Sequence, residues 1–268
     1  MTNVKYMQSV ERSLEMRTLE VAMIGVCAAL YAVVGRMTDL GFTVGGVAFW
    51  PAAVIPAIFA VLFGPWTAGT GAAIGIFVRD MLFHGDPLLS LSAGVTSNFV
   101  GFFLLGYVSR RNLDWRKIII SVVFSGVIVV SSFLVPMAFP AESGAVSNLS
   151  PANALLLFFA VVGGSMLLIA AIARFWPEWK NYGAGSVIGL GVGATIISIV
   201  VWTYSQLFAS ASGYFKSPLS TVFIPVIFIW TFASEIPFIL ILGPPVIKAC
   251  YRAFPSLKPS QQPETKEK

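Results

Sequence analysis

GPWTAGTGAAIGIFVRDMLFHGDPLLSLSAGVTSNFVGFFLLGYVSRR, residues 64–111, is two apolar segments joined by a short polar turn at residues 85–87. The first segment ends in a charged pair, Arg79 and Asp80, followed by the chain's single histidine, His84. An ionised side chain at membrane depth costs about 2.5–3.5 kcal/mol on insertion scales, so such a pair needs a structural or functional reason. This corner reads as the floor of a binding site, and the rest of the chain as the bundle that holds it.

Composition supports a membrane setting. Hydrophobic residues make up 57% of the chain and charged residues 11%, whereas a soluble globule carries about 25% charged residues. Apolar runs long enough to cross a hydrocarbon core of about 30 Å recur along nearly the whole length and leave no room for a soluble domain. Alternating strands of about ten residues are absent, which favours helices over a barrel. The expected fold class is all-α, a polytopic bundle of six to eight transmembrane helices.

The spans fall at 19–36, 45–63, 66–84, 88–108, 116–138, 153–175, 184–208 and 219–247. Around them, residues 1–18 read as a cytoplasmic or interfacial segment, with Met7, Val10 and Leu14 on one helical face. Residues 19–250 form a single transmembrane domain, and 251–268 a disordered cytoplasmic tail. With an even span count, all of the 17 basic residues except Arg36, Arg79 and Lys216 lie on one side. By the positive-inside rule that side is cytoplasmic and holds both termini of a multi-pass plasma-membrane protein. The net charge of +5 is thus accounted for by loops at a lipid bilayer, without nucleic acid. Prolines at 51, 56, 225 and 237 are expected to kink or open their helices.

Small residues four apart mark where helices approach closely in lipid. Ala28 and Ala32 do so in the first span, Gly71 and Gly75 in the third, and Gly185, Gly189 and Gly193 in the seventh. The third span carries Arg79, Asp80 and His84 to the outer face. Asn98 in the fourth span, Trp50 in the second, and Trp202 and Tyr204 near the outer end of the seventh complete a candidate small-molecule pocket of aromatic walls and a few polar groups. Competing readings are pairing or snorkelling of Arg79 and Asp80 at the headgroups, and membership of an interfacial aromatic belt for Trp50, Trp202 and Tyr204. Glu235 lies deeper, and pairing within the bundle is its favoured role.

No nucleotide-binding G-x-x-x-x-G-K-[ST] loop, H-E-x-x-H or G-x-S-x-G pattern occurs. One histidine and two distant cysteines, Cys27 and Cys250, give no metal-ligand spacing. Catalysis, a metal and a cofactor are not expected.

Three stretches, VAMIGVCAALYAVVG, VLFGPWTAGTGAAIGIFVRDML and SAGVTSNFVGFFLLGYVSRR, together with SEIPFILILGPPVIKA near the end, resemble the substrate-binding S components of energy-coupling factor (ECF) transporters. The resemblance covers roughly residues 19–111. It implies a membrane receptor that captures a vitamin or related micronutrient from outside for ATP-driven uptake. Its partners would be a transmembrane coupling (T) subunit and two cytosolic ATPases. By this resemblance Ala28 and Ala32 would meet the coupling subunit. Arg79, Asp80, His84 and Asn98 match the family's ligand site by location. Members commonly have six spans, fewer than the eight read here. The rival reading is a stand-alone gradient-driven secondary transporter of a small polar solute, with Asp80 or Glu235 as the coupling carboxylate.

Overall fold

The computed structural model describes residues 2–111, 151–210 and 212–258. It is helical almost throughout. Helix α1 spans Thr2–Met37, a two-stranded hairpin joins β1 (Thr43–Val44) to β2 (Val47–Ala48), and a 3-10 turn at Pro51–Ala53 leads into α2 (Val54–Leu62). Helices α3 (Pro65–Phe83), α4 (Pro87–Ser109), α5 (Pro151–Phe175), α6 (Lys180–Phe208) and α7 (Phe223–Ala253) follow. Among the described residues, four helices are long and apolar enough to cross a membrane: Arg17–Met37 within α1, then α4, α6 and α7. Repeated membrane-spanning helices make the protein membrane-embedded.

Two expectations are corrected. The span placed at 45–63 begins as a hairpin, because Gly45 and Gly46 both take positive φ (55° and 84°) and close a two-residue turn of the kind that matches strand twist. Its helical part, residues 51–62, is too short to be one of the four candidate spans. The separate interfacial helix expected over residues 1–18 is instead continuous with the first span. The span at 116–138 and residues 259–268 of the tail lie outside the described residues, as do the side chains of Met7, Val10 and Leu14.

Small residues set the packing. A Cβ on Gly71 would lie 2.7 Å from that of Cys27 on α1, and one on Gly75 would lie 2.7 Å from the Ala28 carbonyl oxygen. On α6, Gly185 and Gly189 lie against the backbone of α4 at Leu105 and Gly101. Ala28 and Ala32 are buried within the chain, with the Ala28 carbonyl against Gly75 of α3. Side chains exposed on α1, such as Val26, Leu30 and Val33, belong to the opposite face.

Pro51 and Pro225 lie at helix starts, whereas Pro237 removes a helical bond. Pro51 opens the 3-10 turn and Pro225 sits in the first turn of α7, where a backbone N–H has no helical partner to lose. Pro237 is inside α7 and leaves the Ala233 carbonyl without its i+4 donor. The Ser165 hydroxyl of α5 donates to that oxygen at 2.7 Å, so a neighbouring helix replaces the missing bond.

Val61 at the end of α2, Arg110 after α4, Trp179 and Tyr182 at the start of α6 and Tyr251 at the end of α7 line one space. Basic residues Arg110, Arg111, Lys180 and Arg252 are near these helix ends. The cavity described next lies at the other end of the bundle.

Candidate functional site

Arg79 and Asp80, four and three residues before the end of α3, are only 6% exposed each. Burial of this kind demands partners, and the chain supplies them. Arg79 donates from Nη2 to Asp39 Oδ2 at 2.8 Å and from Nη1 to Asp80 Oδ1 at 3.1 Å. Its guanidinium carbon lies 4.6 Å from the Trp50 ring centroid and 4.2 Å from that of Phe83, so both charge and faces are engaged. Ser90 donates to Asp80 Oδ2 at 2.7 Å.

Ser90 reaches Asp80 through a feature that periodicity does not disclose. Residues 90–95 of α4 form a π-helical stretch, a wider turn often found at functional sites. Gly94 within it leaves room for the carboxylate, since a Cβ there would come within 2.8 Å of Asp80 Oδ2.

Asp86 starts α4 as its N-cap, accepting from the backbone N–H groups of Leu88 and Leu89 at 3.1 Å, with Pro87 at the first helical position. Its other oxygen accepts from the Tyr204 hydroxyl. Burial works to raise this carboxyl, but the bonds from Tyr204, Leu89 and Leu88 prevail and hold it below the usual carboxylate range. Stability from these bonds is therefore present above that range and lost as pH falls through the lowered value. Asp86→Ala is expected to cost about 1 kcal/mol at neutral pH. Thermal unfolding across pH should show the gap to wild type shrinking on acidification.

His84 Nδ1 accepts from the Asp86 backbone N–H at 3.1 Å, which puts the ring proton on Nε2, 3.8 Å from Asp80 Oδ1. The imidazole is neutral in this arrangement. Trp50 Nε1 donates to the Tyr31 hydroxyl at 2.8 Å, Tyr31 donates to Asn98 Oδ1 at 2.6 Å, and Asn98 Nδ2 donates to the Gly94 carbonyl at 2.9 Å. This relay fixes an aromatic wall and an amide against α4.

These residues enclose a cavity of about 80 Å³, bounded by the hairpin at Gly46–Ala48, by α3, α4, α6 and α7, and by Tyr214 and Phe215. Trp50, Arg79, Asp80, His84 and Asn98 all line it. Trp202 and Tyr204 do not. Helix α6 presents Ile197 and Val201, one turn apart, to the cavity; position 202 points away from them, whereas Tyr204 shares their face but lies one turn further along, against Phe215. Tyr204 instead secures Asp86.

Two contributors, the hairpin and Asp39, carry no signal used in the sequence reading, and a third, Glu235, has surroundings other than those expected. The hairpin caps the cavity, held by Tyr214 donating to the Gly46 carbonyl at 2.8 Å and by Trp230 Nε1 donating to the Val47 carbonyl at 3.0 Å. Its signal was the Gly-Gly pair between β-branched residues in TVGGVA. Asp39, just beyond the end of α1, pairs with Arg79 without any local motif to mark it. Glu235 also lines the cavity, yet no ion pair or hydrogen bond to its carboxylate is present among the described residues, which corrects the expected pairing. A smaller void of about 30 Å³ extends past Asn98, Ile197 and Glu235 towards Thr231. No group of three His, Cys, Asp or Glu side chains able to hold a metal ion occurs among the described residues.

Among curated proteins, the chain is similar to a UPF0397 protein of Exiguobacterium sp., at 28% identity over 171 residues, which is 59% of this chain and 92% of the relative. The relative's name specifies no ligand or activity. No family model and no solved structure matches the chain.

Proposed function

We propose that the chain is the substrate-binding S component of an ECF-type importer, a receptor that takes a small micronutrient from outside the cell into the cavity beneath the hairpin. The observation that carries this reading is the capped polar cavity itself. Charged residues that would be costly in lipid converge there with aromatic walls, as a solute site requires and a lipid-facing surface does not. Binding proceeds without chemistry on the solute. A transmembrane coupling subunit and two cytosolic ATPases supply the energy and reorient the loaded bundle. The plasma membrane is its location, with the helix ends near Arg110, Lys180 and Arg252 on the cytoplasmic side.

Gentle extraction of the tagged protein from its native membrane, with mass spectrometry of co-purifying chains and released small molecules, tests this. A coupling protein with ATPases and a retained solute are the expected result. Asp80→Ala should weaken binding of that solute about tenfold or more, since it removes one of the two anchors of Arg79. Membrane expression should persist because Asp39 still pairs the guanidinium. Unchanged affinity would remove Asp80 from the site.

A second reading, a gradient-driven carrier, is favoured by one observation, the unpaired Glu235 carboxylate in the cavity. Uptake by the chain alone in vesicles with an imposed proton or sodium gradient would decide for it.

A further inference from the structure

The charges around the cavity do not balance. Two carboxylates, Asp39 and Asp80, share one guanidinium, His84 being held neutral by the N–H it accepts, and a third acid, Glu235, borders the same cavity. The two terminal nitrogens of Arg79 are bonded to Asp39 and Asp80 and its faces lie against Trp50 and Phe83, its Nε alone having no hydrogen-bond partner; Glu235 has no ion-pair partner among the described residues.

Glu235 is 9% exposed and lies about 18 Å along α7 from its first residue at 1.5 Å rise per residue. It borders both the cavity and the void beyond it. The Thr231 hydroxyl, one turn away on α7 and lining the same void, is also buried without a partner. Asn98 cannot answer them fully, because its carbonyl oxygen accepts from Tyr31 and its amide donates to Gly94. Two unsatisfied polar groups thus face one enclosed space, both able to accept a hydrogen bond and one negatively charged when ionised. A buried carboxylate left in this state is costly, and a bound cation with N–H donors removes that cost.

We infer that the solute of this site is a small organic cation, a protonated amine or related nitrogen base on a compact aromatic body, with Glu235 as its counter-ion and Thr231 as a further acceptor. The inference rests on the receptor reading and narrows its ligand. Tyr214 and Phe215 supply a face for the flat body. An anion would meet Asp39 and Asp80 with only the Nε of Arg79 left to donate, and a neutral solute would leave Glu235 without a counter-ion.

The test uses the full chain in lipid nanodiscs, titrated with benzylamine, benzyl alcohol and benzoate, three probes of nearly one shape and different charge. Benzylamine should bind at least about tenfold more tightly than benzyl alcohol, with benzoate weakest, as expected where a charge-assisted bond is gained. Glu235→Gln should abolish this preference and leave benzyl alcohol unchanged. The ranking in the wild type stands without the variant should Glu235→Gln fold poorly. Equal or stronger binding of benzyl alcohol or benzoate, a preference that survives Glu235→Gln, or no binding of any probe overturns the inference. The receptor reading is judged separately. It falls if protein from the native membrane releases no solute and brings no partner, whatever the probes do.

Discussion

Arg79→Ala is expected to destabilise the folded chain by about 3–5 kcal/mol, because it strands two carboxylates in the interior. The Asp39 and Asp80 side chains are 3% and 8% exposed, and among the described residues Arg79 is the only base bonded to either within 3.5 Å. Trp50 and Phe83 would lose the cation packed between them as well. Arg79→Lys should recover only part of the loss, since a single ammonium lacks the planar fork that reaches one carboxylate with each terminal nitrogen. Unfolding of the three proteins in the same nanodiscs measures the effect. A cost below about 1 kcal/mol for the alanine variant, the size of an exposed pair, would mean that this network is solvated.

Gly189→Ala is the second large effect, expected near the upper end of the roughly 1–3 kcal/mol that overpacking costs. The added methyl would lie 2.4 Å from the Gly101 carbonyl oxygen and 2.9 Å from the Leu105 backbone nitrogen. Backbone cannot rotate aside as a side chain does, so α4 and α6 must separate along their shared length. Gly183→Ala, earlier on α6 and with nothing within 4 Å of its Cβ, provides the contrast. It should be neutral or mildly stabilising through helix propensity. Parallel thermal unfolding in lipid checks both, and equal behaviour of the two variants would remove close packing as the reason for Gly189.

The helical membrane character was legible because it is written in composition and run length, which need no tertiary knowledge. Likewise, Gly71, Gly75, Gly185 and Gly189 announced close approach through spacing, and each does pack against a neighbouring backbone or side chain. Arg79, Asp80, His84, Asn98 and Trp50 were legible for another reason. Polar and aromatic groups placed near one end of apolar segments are expensive unless they meet, and in the structure they do. The partners were not legible, since they come from elsewhere in the chain. Asp39 is 40 positions from Arg79, and nothing local marks it as the bridging carboxylate. A π-helical stretch at 90–95 shifts the helical phase, so regular periodicity could not have brought Ser90 to Asp80. Trp202 and Tyr204 lie outside this cavity for different reasons: Trp202 is on another face of α6, and Tyr204 is on the same face but a turn beyond Val201, where it meets Asp86.

The hairpin over the cavity has a kinetic consequence. Its two fastenings come from different parts of the chain, Tyr214 in the segment before α7 and Trp230 within α7 itself. Tyr214 is in a loop and also touches His84, with ring centroids 5.1 Å apart, whereas Trp230 is 1% exposed in the bundle. The outer fastening releases at the cost of one hydrogen bond and a ring contact, while the inner one stays anchored. Under the proposed receptor function, such a cap would swing on Val47 without unfolding, so the Tyr214 latch would govern the dwell time of a solute and the groups on the cavity floor its equilibrium affinity.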